Sequence, residues 1–477
     1  MFFKDIFRKK SFAQLDAEAG SEVFVRKLGL TQLIILGLGA VIGGGVFVFT
    51  GKAAFLHAGP AVIISFALSG FICICAGLCY AEFASLIPVS GSSYTYVYAT
   101  LGEFPAWLIG CSVIFAYFLA AASVGSGWSS YFVSILLDYG ITLPAKLLYR
   151  SGTILENAEG SKQYAIIDLP AFFVSIISMA VLYVSTSSSA WLNATVVSIK
   201  MIVLGLFIYF GIGNIDPQNW HPFIPENIEF GRYGWSGIIS GISIVFLGFI
   251  GFEAVCVAAQ ETKNPQRNVP IGVVASICIS TLTYILVAVV LTGVVNYKLL
   301  DTAKPISLAV QSMNMPILSY LMKMGAISAI TSVILVHQYT IVRLLYAISK
   351  DGLLPNFFNK MHKRFHTPHL STLVVGTAMA IVSSTIQIEK ILRLSSFFML
   401  LGITVICGSI IYLRIKEPSK KRSFKCPFVP VVPLVSILCS LIILCSYKLE
   451  VFLHGITCLL LASVVYFLYG RHNSKIA

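Results

Sequence analysis

Three consecutive glycines in the middle of a membrane-length apolar run constrain this chain more than any other feature. The stretch reads Leu36-Gly37-Leu38-Gly39-Ala40-Val41-Ile42-Gly43-Gly44-Gly45-Val46-Phe47. A glycine inside a helix costs about 1 kcal/mol relative to alanine, so three in a row predict an unwound helix at bilayer depth. Freed N–H groups cannot face lipid there, because nothing in the hydrocarbon accepts their hydrogen bonds. They have to line a protein-walled cavity and bond something within it. The half-helix that follows presents its positive end to that cavity and favours an anion such as a carboxylate.

The surroundings of this stretch fit a polytopic membrane protein. Hydrophobic residues make up 57% of the chain and charged residues 11%, against about 25% charged in soluble domains. A net charge of +13 raises the question of nucleic acid. The basic residues, however, sit in short clusters at the ends of apolar runs, where they set orientation. No basic face interleaved with aromatics appears, so no nucleic-acid partner is expected. Of the 11 cysteines only Cys426 lies in a basic loop, and none shows paired C-x-x-C spacing. They are expected to be small buried side chains, with no metal or other cofactor. Met1 to Lys10 do not resemble a cleavable signal, since the first apolar core begins near Leu30 and is itself the first span.

A window of about 20 apolar residues yields twelve spans, near 30–52, 59–86, 105–137, 168–187, 191–213, 237–259, 270–295, 315–347, 370–386, 394–414, 428–446 and 451–469. An even number puts both termini on one side, and the basic clusters around Lys9, Arg343 to Arg364 and Lys420 to Lys425 put that side in the cytoplasm. The expected division is a cytoplasmic segment 1–29, a first repeat 30–213, an extracellular loop 214–236, a second repeat 237–414, a basic cytoplasmic loop 415–427, a terminal pair 428–469 and a cytoplasmic end 470–477. The sixth span carries its own interruption, Phe246-Leu247-Gly248-Phe249-Ile250-Gly251-Phe252-Glu253. Breaks at corresponding positions of two inverted halves point to a transporter binding site. Glycines that merely let helices pack closely are the structural alternative, and two matched breaks weigh against it.

Intramembrane ionisable residues are functional candidates by default. Lys200 lies mid-way along the fifth span, roughly 15 Å from either end at helical rise, too deep to snorkel to an interface. Burial penalises its ammonium, so a lysine that loses and regains its proton would couple transport to a proton gradient. The alternative is a permanently charged lysine paired with a carboxylate or with carbonyls at a helix break. Glu253 follows the second break and suits the positive end of a half-helix, as a structural, gating or substrate-touching group. Glu82 reads as interfacial and structural, and His337 as a hydrogen-bonded core residue. Thr331 and Ser332 carry hydroxyls near the middle of the eighth span, free to bond a helix carbonyl or Lys200. No H-E-x-x-H, Walker or G-x-S-x-G motif is present, so neither an enzyme nor an ATP-driven pump is expected.

Several motifs together resemble one family. Gly39 to Phe47 is similar to the first-helix signature of the amino acid–polyamine–organocation superfamily. Phe249 to Val255, Glu261 to Pro270, Pro88 to Tyr94 and Arg343 to Pro355 resemble its cationic amino acid transporter branch, bacterial type. The resemblance implies an all-α membrane protein of twelve transmembrane helices. Two inverted five-helix repeats, with helices 1 and 6 discontinuous, would be followed by helices 11 and 12. It implies that Ile42, Gly43, Gly44 and Gly45 hold a substrate carboxylate and that Leu247, Gly248 and Ile250 hold its ammonium. Lys200 matches the lysine of proton-coupled members, with Thr331 or Ser332 as its neighbour. Three departures bear on the substrate. Gly44 replaces a frequent threonine or other small residue, Ala116 replaces an acidic residue, and Ile330 stands where members taking large basic substrates have something smaller. The last two argue against arginine and lysine, whose tails need a partner in a desolvated pocket.

The expectation is a secondary transporter of the plasma (inner) membrane that imports neutral, apolar L-amino acids with a proton by alternating access. Phe249 and Ile330 would face the substrate side chain. Its partners would be the amino acid, the proton, the lipid bilayer and, as in some relatives, a small auxiliary membrane protein. The rival expectations are a cationic amino acid transporter, an amino acid or amine exchanger, and a membrane sensor that binds an amino acid without moving it.

Overall fold

A backbone immersed in hydrocarbon must satisfy its polar groups within each segment, and helices do so. The computed structural model describes residues 6–19, 26–156, 162–184, 186–302, 304–365, 367–386 and 388–475, and among these it is built of helices with one small ribbon. The long helices are α1 (Leu30–Val41), α2 (Val62–Leu86), α3 (Glu103–Asp138), α4 (Leu169–Val184), α5 (Thr186–Ile212), α6 (Gly234–Val245), α7 (Pro265–Val294), α8 (Pro316–Lys350), α9 (His369–Thr385), α10 (Ile388–Lys416), α11 (Val431–Cys445) and α12 (Leu449–Val465). Eight helical segments are long and apolar enough to cross a bilayer, and α4, α9 and α11 are shorter apolar helices. The first of the eight runs from Leu30 to Leu86 and supplies two spans, because Gly59 interrupts it at φ +59°.

Local chemistry sets many of the ends. Pro265 and Pro316 open α7 and α8, where a missing N–H costs nothing and φ is preset. Glu103 sits in the first turn of α3, and Arg414 and Lys416 sit in the last turn of α10, each complementing the helix dipole. In the loop after α3, β1 (Ile154–Glu156) and β2 (Lys162–Tyr164) form an antiparallel ribbon with Leu155 opposite Gln163. Three short helices, Phe12–Ala19, Ser92–Thr100 and Pro305–Ser312, fall outside the expected spans because each is far shorter than a bilayer crossing. The second carries Tyr94, Tyr96 and Tyr98, all buried.

Three helices of the first five pack on the helix five places later. α7 lies along α2, α8 along α3 and α9 along α4, as two inverted five-helix repeats require. α10 packs along α3, and α11 and α12 pack on α10. α12 leaves Leu453, Leu460, Leu461 and Val464 exposed, the composition of a lipid-facing surface.

Both ends of the chain reach one face, here called the tail face. There the Lys10 ammonium lies 2.7 Å from Asp351 Oδ1 and 2.7 Å from Glu18 Oε1. Tyr94 donates to the other Asp351 oxygen at 2.8 Å, and the Lys475 N–H donates to the Asp351 carbonyl at 3.0 Å. Leu28, just before α1, pairs with the chain at 261–263: its N–H donates to Glu261 O at 2.9 Å and its carbonyl accepts from Lys263 at 2.8 Å. Arg343 binds Glu261 at 2.6 Å beside it. These contacts close the tail face beneath the two broken helices.

Candidate functional site

α1 ends where Ile42 turns to an extended ψ of 106°. The chain resumes as a helix over Gly45–Ala58. The first amides of a helix have no partner within it, and here they belong to the glycine triple. α6 ends at Val245, tightens into a turn over Phe246–Phe249 and opens at Ile250 with ψ 122°. Gly251 has φ +137°, a region L side chains rarely enter. A Cβ there would also lie 2.7 Å from the Ala40 backbone. Helix resumes over Ala254–Glu261. Both interruptions therefore fall where the glycines are.

The two breaks touch. A Cβ on Gly45 would stand 2.5 Å from Gly248 Cα. Between them, α3 and α8 lies a cavity of about 10 Å³, bounded by Gly44, Gly45, Leu247, Gly248 and Ile250 together with Ser123, Val124, Val333 and His337. That volume holds about one water, so a larger cargo enters only when the breaks part. Ile42 and Gly43 lie beside the cavity: Ile42 gives its carbonyl to Lys200, and a Cβ on Gly43 would meet Val333 at 2.3 Å. Phe249 and Ile330 are buried but do not line it. Phe249 packs edge-on to Tyr284, ring centroids 5.1 Å apart. A Cβ on Gly44 would lie 2.3 Å from Val124 Cγ1, so the space a larger residue would need is filled by a valine.

Lys200 is fully buried. Its ammonium donates to the carbonyls of Ile42 at 2.6 Å, Leu38 at 2.9 Å and Gly39 at 3.3 Å. These carbonyls lie at and just beyond the end of α1, where Leu38 O also accepts the Ile42 N–H at 3.0 Å, and a cation there complements the negative end of the helix. Ser332 donates to the same Gly39 carbonyl at 2.9 Å and lies 2.7 Å from Asn193 Oδ1. Lys200 and Ser332 thus share an acceptor. Thr331 is engaged elsewhere, accepting from Trp128 Nε1 at 2.9 Å and donating to Ile327 O at 2.8 Å. Glu253 is fully buried and accepts the Ser93 N–H at 3.1 Å, so it ties the resumed part of α6 to the short helix Ser92–Thr100 rather than facing the cavity. Glu82, read as structural, accepts from Nε and Nη2 of Arg414 at 2.9 and 2.7 Å.

Three residues not singled out, or set aside, enter the site. The Tyr284 hydroxyl on α7 lies 2.7 Å from Val41 O and 2.7 Å from Gly248 O, one on each broken helix. Asn193 on α5 holds Ser332 and borders a second small cavity toward the tail face, with Gln32, Leu36 and Tyr339. His337 borders the central cavity and stacks near Tyr117, centroids 4.8 Å apart. A lone tyrosine, asparagine or histidine in an apolar span carries no sequence signal that separates it from ordinary core.

Comparison with known proteins bears on this geometry. A family model described as amino acid permease matches residues 28–464. A methylthioribose transporter of Bacillus subtilis is 39% identical over 469 residues, covering 98% of each chain. A branched-chain amino acid permease of the same organism is 38% identical over 473 residues, covering 99% of each. The chloroplastic cationic amino acid transporter 9 of Arabidopsis thaliana is 31% identical, covering 94% of this chain and 89% of its own. These relatives are transporters, not enzymes.

Proposed function

The chain belongs to the amino acid permease family, and from that premise we propose that it imports neutral, apolar L-amino acids together with a proton. The observation that carries the proton is the seat of Lys200 on the α1 carbonyls of Leu38, Gly39 and Ile42. While the lysine is charged it supplies up to three donors to a helix end that has lost its own. A lysine that gives up its proton supplies fewer and turns a lone pair toward the same oxygens. Protonation thus sets how firmly α1 is held at its break, and the break is what must move for a substrate to enter. The carboxylate of the amino acid would take the amides at Gly43, Gly44 and Gly45. Its ammonium would take the carbonyls of Leu247, Gly248 and Ile250.

Apolar specificity is supported by the cavity wall. Val124, Leu247, Ile250 and Val333 face it, and among the described residues no charged side chain borders it. A lysine or arginine tail would be desolvated there without a partner. A second reading follows from the relative described as a methylthioribose transporter, which is as similar as the branched-chain permease: a neutral, sulfur-bearing sugar fits the same uncharged wall. Membership of the plasma membrane with both ends in the cytoplasm is proposed on the positive-inside distribution.

Uptake into proteoliposomes tests all of this. A labelled branched-chain amino acid should accumulate when an inward pH gradient is imposed, be displaced by other apolar amino acids and be indifferent to arginine. Lys200→Ala should remove the dependence on the gradient. Exchange without a gradient, strong competition by arginine, or displacement by methylthioribose alone would each overturn one part of the proposal.

A further inference from the structure

α8 reaches the tail face at Asp351 and has 35 residues, a length of about 50 Å, so its first turns lie at the opposite face. There, between the end of α3 and the start of α8, is a cavity of about 430 Å³. Small-molecule sites run from about 300 to 1,000 Å³, and transport as described above makes no use of this one. Polar side chains border it: Asp138 on α3, Gln311 and Asn314 ahead of α8, and Ser319, Tyr320 and Lys323 on α8. Residues 316, 319, 320 and 323 recur at helical spacing and share one face of α8.

Lys323 is buried, and its ammonium donates to Asp138 Oδ2. Among the described residues that carboxylate is its hydrogen-bond partner, so two of the three donors of an ammonium remain for the cavity. Asp138 is exposed and keeps Oδ1 for a donor. Among the described residues these two are the only charged side chains on the wall. One positive and one negative group side by side complement a ligand that carries both signs, rather than a bare anion or cation. The surroundings point to lipid. Ile317, Leu321 and Met324 are exposed and form a stripe on the adjoining face of α8. That stripe runs from the cavity toward the middle of the bilayer. Beside it the Tyr139 and Tyr320 hydroxyls lie 3.2 Å apart, and tyrosines collect at headgroup depth.

We propose that this cavity binds a primary ammonium joined to an oxyanion, supplied by the phosphoethanolamine headgroup of a membrane phospholipid. The phosphate takes the remaining donors of Lys323, as basic pockets between membrane helices take lipid headgroups. The ammonium takes Asp138 Oδ1, with neutral acceptors on Gln311, Asn314 and Ser319 around it. The acyl chains follow the stripe of Ile317, Leu321 and Met324. A free amino acid carries the same two charges and is the other source of this chemistry. An occupant joins the outer ends of α3 and α8, which lie along each other and further in wall the central cavity. It therefore steadies that pair of helices while the breaks part, a consequence that rests on the transport function proposed above.

The experiment incubates the delipidated full chain in detergent with dioleoyl phosphatidylethanolamine, phosphatidylcholine or phosphatidylglycerol. Bound lipid is counted by native mass spectrometry, and the thermal unfolding midpoint is measured in parallel. The expected result is one phosphatidylethanolamine retained several-fold better than phosphatidylcholine, whose trimethylated nitrogen has no N–H for Asp138, and a midpoint raised most by the ethanolamine lipid. Phosphatidylglycerol, an anion without the ammonium, should be retained no better than phosphatidylcholine. Asp138→Asn should erase the preference for ethanolamine over choline, and Lys323→Gln should lower retention of both. Equal retention of the ethanolamine and choline lipids by the unmodified chain, or a preference for the glycerol lipid, overturns the proposal, and that comparison needs no variant. Free valine is the second probe. It also stabilises through the central cavity, so only the part of its effect that Asp138→Asn removes is counted. Such a loss, with no preference among the lipids, assigns the cavity to free amino acids and overturns the lipid. Bound mass is read here rather than uptake, so failure of the transport proposal leaves this result standing.

Discussion

At the break in α1 the carbonyls of Leu38, Gly39 and Ile42 accept from an ammonium. At the break in α6 the Gly248 carbonyl is taken by a phenol, Tyr284. The first donor carries a charge that the loss of a proton would remove. The second is an uncharged hydroxyl. The first break is three glycines held open by an adjustable group. The second turns at a single left-handed glycine, Gly251, pressed against the Ala40 backbone, and has a fixed geometry. On the proton coupling proposed above, labour is divided, with α1 responding to protonation and α6 serving as the reference against which it moves. Tyr284 touches both, so it sets the distance between them.

The largest effect that would break this comparison is expected from Gly45→Ala. The added methyl would stand 2.5 Å from Gly248 Cα, and neither backbone can yield as a side chain would. Overpacking of this kind costs about 1–3 kcal/mol. Uptake should drop to background and thermal unfolding in detergent should shift down. Near-normal uptake in this variant would show that the breaks do not need to meet. Next comes Tyr284→Phe, which leaves the Val41 and Gly248 carbonyls short of a donor at a cost of about 1–3 kcal/mol. Uptake should fall several-fold yet keep its dependence on the pH gradient, in contrast to Lys200→Ala. If Tyr284→Phe abolished that dependence, the two breaks would not be chemically distinct. The smallest effect is expected from Ser332→Ala, because Gly39 O keeps its contact with Lys200. A loss of about 0.5–1.5 kcal/mol and a modest fall in uptake should be measured. An effect exceeding that of Tyr284→Phe would move the centre of the site from the α1–α6 contact to the α1–α8 contact.

The parts of this arrangement that are local in sequence were legible before the structure. A glycine triple within an apolar run predicts unwinding by itself, and both interruptions fall at the predicted glycines. The depth of Lys200 follows from counting apolar residues on either side. Its partners do not, because backbone carbonyls have no sequence signature. Tyr284 was illegible for a related reason. It is one aromatic among the branched residues of α7, and its role exists only because α7 packs on α1 and α2. The same holds for the loop at Cys426, whose partner Glu82 on α2 lies 344 residues away in the chain. Short buried helices such as Ser92–Thr100 escaped notice because a bilayer-length window passes over nine residues.

The contact between Gly44 and Val124 ranks the routes by which descendants of this sequence could change their diet. A hydroxyl-bearing side chain at position 44 collides with the valine branch at once, so that substitution alone is a dead end. Trimming the valine on α3 first opens the room, and only then does the second change become tolerable. A history of cargo switching in such chains should therefore carry a fixed order of events, with the supporting wall remodelled before the residue that it supports.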